Sequence, residues 1–176
     1  MNSQLVFRNI GRFLLLVLLQ VLVFNNIYLG GYINPCIYVL FIAMLPTTTG
    51  RIPMMLIAFF TGLCVDISTN MLGFHTFACT AVAYLRGIWL DRIIIHDNDE
   101  GIEMPSLYSG SYQQFALYLF LLLLAFNLIY HLLLVFSLRD FFGILLSALL
   151  STVVTWILAI LYQTLLLHKS RNNIKA

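Results

Sequence analysis

From Gln113 to Leu138, and again from Phe141 to Leu167, the chain carries no Asp, Glu, Lys or Arg. A helix needs about 20 mainly apolar residues to cross roughly 30 Å of hydrocarbon, so each of these runs is long enough to span a bilayer. The rest of the chain agrees with them. Of 176 residues, 61% are hydrophobic and 9% charged, with mean hydropathy +0.96, against about 25% charged in an ordinary soluble domain. A water-soluble globule is excluded, and lipid must be the solvent. A net charge of +2 with no Lys/Arg stripe also gives no basis for nucleic-acid binding, which needs many neutralised phosphates.

Six apolar runs separated by polar punctuation predict an all-α membrane protein with six transmembrane helices in one bundle. They cover about Ile10–Leu29, Tyr32–Leu45, Ile52–Ile67, Gly73–Leu90, Gln113–Leu138 and Phe141–Leu167. The second and third are short, with Pro35 near the start of one and Pro53 in the other. A run of roughly 14 residues reaches only about 21 Å, so this pair could instead form one re-entrant hairpin. No small-x-small cleavage site follows the first run, which therefore reads as a retained anchor rather than a signal peptide. With the amino end cytoplasmic, Arg8, Arg12, Arg51, Arg86, Arg92, Lys169, Arg171 and Lys175 lie inside and Arg139 alone lies outside. That bias predicts both termini in the cytoplasm. Residues 1–176 then form a single integral membrane domain, with a cytoplasmic loop at 91–112 and a cytoplasmic tail at 168–176. The 91–112 loop is too short to bury a core of its own.

Reactive groups are sparse. Cys36, Cys64 and Cys79 sit in apolar runs without metal-ligand spacing and read as small buried hydrophobes. The acidic residues Asp97, Asp99, Glu100 and Glu103 do not have the spacing of a calcium loop. No P-loop, dinucleotide, zinc-protease or serine-hydrolase motif is present. No cofactor or metal is expected, and the expectation is a protein that is not an enzyme.

Small residues recur every four positions on the last run, at Gly143, Ser147, Ser151, Thr155 and Ala159, and on the fourth run at Thr76, Thr80, Ala83 and Gly87. Such stripes let helices approach closely in lipid. They serve either packing within the chain or docking of a partner helix. Gln20, Asn127 and His131 are polar residues at membrane depth, where they are expensive; they read as interhelical hydrogen bonds or as the lining of a polar cavity. Asp66 and His75, nine residues apart, flank the turn between the third and fourth runs. They could meet as an acid/base pair, but no third catalytic group accompanies them. A role in fixing the turn is the simpler reading, and under it an isosteric Asp66→Asn change is expected to be tolerated.

The stretch from Leu45-Pro46 to Arg92 reads through Arg51, Gly62-Leu63-Cys64-Val65-Asp66, Leu72-Gly73-Phe74-His75 and Ala83-Tyr84-Leu85 to Arg86. It resembles the MreD family, the bacterial rod shape-determining membrane proteins, whose central part has a G-x-x-x-D segment, then L-G-x-H and an aliphatic helix ending in basic residues. By that motif Gly62, Asp66, Gly73 and His75 carry over, without an assigned catalytic role. The resemblance implies a six-helix fold similar to the substrate-binding subunits of energy-coupling-factor transporters. It implies a multi-pass protein of the bacterial inner membrane that takes part in cell elongation. The implied partners are an MreC-like protein, a RodA-type glycosyltransferase with its transpeptidase, and indirectly MreB filaments, besides membrane lipid. A small-molecule-binding subunit of such a transporter is the alternative that the same fold leaves open.

Overall fold

The computed structural model describes residues 3–26, 33–90, 92–93, 105–106, 111–135 and 141–172. Their regular elements are helices: α1 (Ser3–Leu22) with a 3-10 turn at Phe24–Asn26, α2 (Val39–Ala43), α3 (Arg51–Thr69), α4 (Phe74–Leu90), α5 (Tyr112–Val135) and α6 (Phe141–Asn172). The expectation of six membrane-spanning helices needs correction. Among the described residues four segments are long and apolar enough to cross a bilayer, namely Phe7–Asn26, Arg51–Thr69, Tyr112–Val135 and Phe141–Leu165. The protein is thus an all-α, multi-pass membrane protein by the length and apolarity of its helices. α4, with 17 residues, rises about 26 Å, slightly short of the hydrocarbon thickness. The run at 32–45 supplies only the five residues of α2, because Pro35 lacks an N–H and pushes Asn34 out of helical geometry. Most of the 91–112 loop, Arg139 and residues 173–176 lie outside the described residues.

Lipid as solvent explains which face each helix buries. On α5 the buried positions Phe115, Tyr118, Leu119, Leu122, Leu123, Phe126, Asn127, Tyr130 and His131 follow a 3.6-residue period down one side. α6 is arranged the opposite way from a soluble helix. Its small residues Ser147, Ser151, Thr155 and Ala159 are buried while Leu146, Leu150, Val153, Ile157 and Leu161 face outward. The bulk of α1 is peripheral, exposing Ile10, Leu14, Leu18 and Leu22. α3 and α4 form the most extensive helix pair.

The centre of the bundle holds the irregular stretch that replaces the second span. Residues Cys36 to Leu45 are buried without exception. The stretch runs along α4, from Tyr38, whose hydroxyl meets His75 at the helix start, to Ala43 and Leu45, whose carbonyls meet Arg86 near its end. Backbone that is not helical survives at membrane depth only if protein satisfies it, and here side chains do so. Gln20 of α1 donates to the Pro35 carbonyl (2.9 Å) and accepts from the Ile37 N–H (3.0 Å). Ser151 and Thr155 of α6 accept from the N–H groups of Asn34 (3.0 Å) and Cys36 (3.1 Å). At the other end Tyr118 of α5 donates to the Ala43 carbonyl (3.1 Å). The hydroxyl-bearing stripe of α6 therefore serves as a row of hydrogen-bonding groups for a buried peptide as well as a close-packing surface.

This arrangement gives the stripe a direct test. Ser151 is fully buried against Asn34, whereas Leu150, on the neighbouring face, is 38% exposed. Ser151→Leu removes the acceptor and overpacks the contact, and should cost about 2–4 kcal/mol. Leu150→Phe should cost well under 1 kcal/mol, since it faces lipid. Unfolding of both variants in mixed micelles would compare them directly; equal stability would mean that the stripe carries no such load.

Candidate functional site

The four motif residues lie at one joint between α3 and α4. Gly62 and Asp66 are four apart on α3 and so share a face, turned toward the first residues of α4. Gly62 has no side chain because there is no room for one: a Cβ would sit 2.5 Å from Thr76 Cα and 2.7 Å from both His75 O and Thr76 N. One turn further on, the Asp66 carboxylate reaches across to cap α4. One oxygen accepts from the His75 N–H (3.1 Å); the other accepts from the Thr76 N–H (2.8 Å) and the Thr76 hydroxyl (2.5 Å). A carboxylate on the unsatisfied N–H groups of a helix start neutralises their partial positive charge. The chain can turn back this tightly because Asn70 takes the left-handed conformation (φ 53°) and Gly73 takes φ 89°, which a glycine adopts without strain.

Asp66 and His75 do not form an acid/base pair. All three bonds received by the carboxylate come from α4's backbone and from Thr76, while the His75 ring turns away to Tyr38, with Nδ1 2.8 Å from the hydroxyl. The ring stacks on Tyr130 at 4.5 Å between centroids and lies near Phe126 at 6.4 Å. The Cys79 thiol donates to the Tyr38 oxygen over 3.7 Å. This geometry revises the expectation for Asp66→Asn. An amide keeps one acceptor atom, but its –NH2 must then face a backbone N–H, donor against donor. The substitution should cost about 1–3 kcal/mol, read as a lower Tm in detergent; an unchanged Tm would mean that the carboxylate is not the cap.

The remaining sequence candidates are dispersed. Of the α4 stripe, Thr76 and Ala83 are buried, whereas Thr80 and Gly87 are half-buried, with Thr80 donating to the Thr76 carbonyl (2.8 Å). On α6, Gly143 is half-buried at the end of the stripe. Gln20, Asn127 and His131 do not converge. Gln20 holds the central stretch, while Asn127 donates to Leu123 O (3.0 Å) and Thr152 Oγ1 (3.2 Å), and His131 Nδ1 lies 2.9 Å from Asn127 O. Cys36 and Cys79 are buried, but Cys64 is exposed on the outward side of α3, which corrects the expectation that all three are buried. Among the described residues no cluster of three or more His, Cys, Asp or Glu could hold a metal.

Two structural residues were not singled out by sequence reasoning. Arg86, counted above as a cytoplasmic charge, is 1% exposed inside the bundle. Its guanidinium meets the carbonyls of Ala43 and Leu45 and the Met54 sulfur, none of them charged. Tyr38 is equally buried and links the central stretch to α4. The signal for both was present in the short, proline-interrupted run at 32–45: a traverse too short to be a helix needs polar side chains to complete its hydrogen bonds.

No protein family, curated protein or solved structure matches the chain.

Proposed function

We propose that this chain is a non-enzymatic, MreD-like component of the bacterial cell-elongation complex. In this reading it resides in the inner membrane with both termini cytoplasmic, binds an MreC-like partner, and helps position a RodA-type glycosyltransferase and its transpeptidase relative to MreB filaments. The observation that carries the reading is the joint itself. The G-x-x-x-D and L-G-x-H residues that prompted the resemblance fall together, and each acts on architecture: Gly62 by close approach, Asp66 by capping, Gly73 by the turn and His75 by anchoring Tyr38. With its carboxylate committed to α4, the joint has no free base beside the imidazole.

A membrane-embedded partner is favoured by an apolar groove of about 580 Å³ between α1 and α3, bordered by Ile10, Phe13, Phe41, Ile57 and Phe60. A transmembrane helix could seat side chains there. The test is purification of the tagged chain from mild detergent together with the MreC-like protein of the same cells, and scoring of cell shape when the chain is depleted. Stoichiometric recovery of that protein and rounding of the cells are expected. A chain that is recovered folded but without the partner, and whose depletion leaves cells rod-shaped, overturns the proposal.

A further inference from the structure

A cavity of about 650 Å³ opens at the end of the bundle where α1 and α3 finish and α4 begins. It lies at the opposite end of α4 from Arg86 and within the volume range of small-molecule sites, roughly 300–1,000 Å³. None of the fourteen described residues that line it is Asp, Glu, Lys or Arg, yet it is rich in hydrogen-bonding groups, including Asn25, Asn26, Asn34, His75 and Tyr130.

Two of these side chains are almost wholly buried and end in polar atoms that have no hydrogen-bond partner among the described residues. Tyr130 is 3% exposed, and its hydroxyl has no hydrogen-bond partner among the described residues; His75 is 4% exposed, and only its Nδ1 is engaged. With Nδ1 engaged by the Tyr38 hydroxyl, Nε2 is the imidazole nitrogen left beside the cavity. Both atoms belong to residues that line the cavity, so they are left for whatever occupies it rather than sealed in the core. Two such groups together on one wall are arranged for something that enters it.

We infer that this cavity binds an uncharged, polyhydroxylated group, with His75 Nε2 and the Tyr130 hydroxyl as the hydrogen-bonding groups that meet its oxygens. Among the described residues the wall combines amides, hydroxyls and one imidazole with apolar side chains such as Phe24 and Ile33 and carries no counter-charge, which suits a neutral sugar and disfavours an ionic ligand. That group could arrive as a free sugar or as the head of a glycolipid. The inference stands on the cavity alone and does not depend on the proposed partner.

The test uses the whole chain in phospholipid nanodiscs. One arm titrates maltose and N-acetylglucosamine, with glucuronate and glucosamine as charged counterparts, by saturation-transfer NMR. The other arm incorporates monoglucosyl diacylglycerol and reads protection of Tm against plain diacylglycerol. Tyr130→Phe is the deciding variant: the hydroxyl it removes has no hydrogen-bond partner among the described residues, so the unliganded Tm should remain within about 1 °C of the parent. Binding of a neutral sugar in either arm, weakened at least fivefold by Tyr130→Phe and absent for the charged sugars, is the expected result, and the arm that responds identifies the source. Silence in both arms, equal binding by charged sugars, or binding unaffected by Tyr130→Phe each overturns the inference.

Discussion

Gly62→Ala should be among the most damaging single-methyl changes in this protein. The added Cβ meets backbone atoms of Thr76 and His75 at 2.5–2.7 Å, and backbone cannot rotate away as a side chain would. α3 and α4 must therefore separate, and the Asp66 carboxylate one turn away is drawn off the N–H groups of α4 at the same time. Overpacking alone costs about 1–3 kcal/mol, and lengthening the cap bonds adds on the order of 1 kcal/mol. The expected loss is therefore about 3–4 kcal/mol, visible as a sharply reduced yield of monodisperse protein and a lower Tm. Gly11→Ala is the matched control, because a Cβ there meets nothing within 4 Å; it should be neutral or slightly stabilising through helix propensity. Equal behaviour of the two variants would show that the helices are not in the close contact described.

Arg86→Met should be comparably severe for a different reason. Methionine fills much of the volume and removes a buried charge, a replacement that in many cores is harmless or helpful. Here the guanidinium serves backbone carbonyls at the end of the central stretch rather than a carboxylate. Hydrogen bonds from a charged donor contribute about 1.5–3 kcal/mol each. Ala43 O keeps the Tyr118 hydroxyl, so the principal loss is at Leu45 O, which is left without this donor. A loss of about 3 kcal/mol is expected, with Arg86→Lys intermediate because one ammonium nitrogen replaces the two guanidinium nitrogens that meet Ala43 O and Leu45 O separately. Denaturation in graded detergent mixtures measures both, and an Arg86→Met protein as stable as the parent would remove the guanidinium from its role as the anchor of this stretch.

The contrast between these two residues shows how far the sequence could be read. α5 and α6 were legible because uninterrupted apolar length has one interpretation in lipid, and the polar face of α6 was legible from its small residues. The use of that face was not: a Ser/Thr stripe looks the same whether it meets another helix or, as here, the N–H groups of Asn34 and Cys36. Residues 32–45 misled for a related reason. Composition reports that a segment avoids water, and an irregular stretch surrounded by protein avoids water as well as a helix surrounded by lipid does. Arg86, inside the fourth run, is counted as a cytoplasmic charge because counting charges near span ends treats every arginine as solvated. The turn-fixing role of Asp66 was legible, but its partners were not: spacing alone does not show that the carboxylate meets the His75 and Thr76 N–H groups rather than the His75 ring.

The central stretch also constrains how the protein can be made. Residues 33–45 emerge early in synthesis, soon after α1, but the groups that complete their hydrogen bonds come from all along the chain: Arg86 on α4, Tyr118 on α5, and Ser151 and Thr155 near the end. Until α6 has arrived, the N–H groups of Asn34 and Cys36 lack their partners, and a bare peptide group in hydrocarbon costs several kcal/mol. The segment cannot partition into lipid as an independent helix; it has to wait, at the interface or in the insertion machinery, for later helices to enclose it. Assembly is thereby made dependent on synthesis of the last helix, and a chain truncated before Ser151 would expose this segment to membrane quality control.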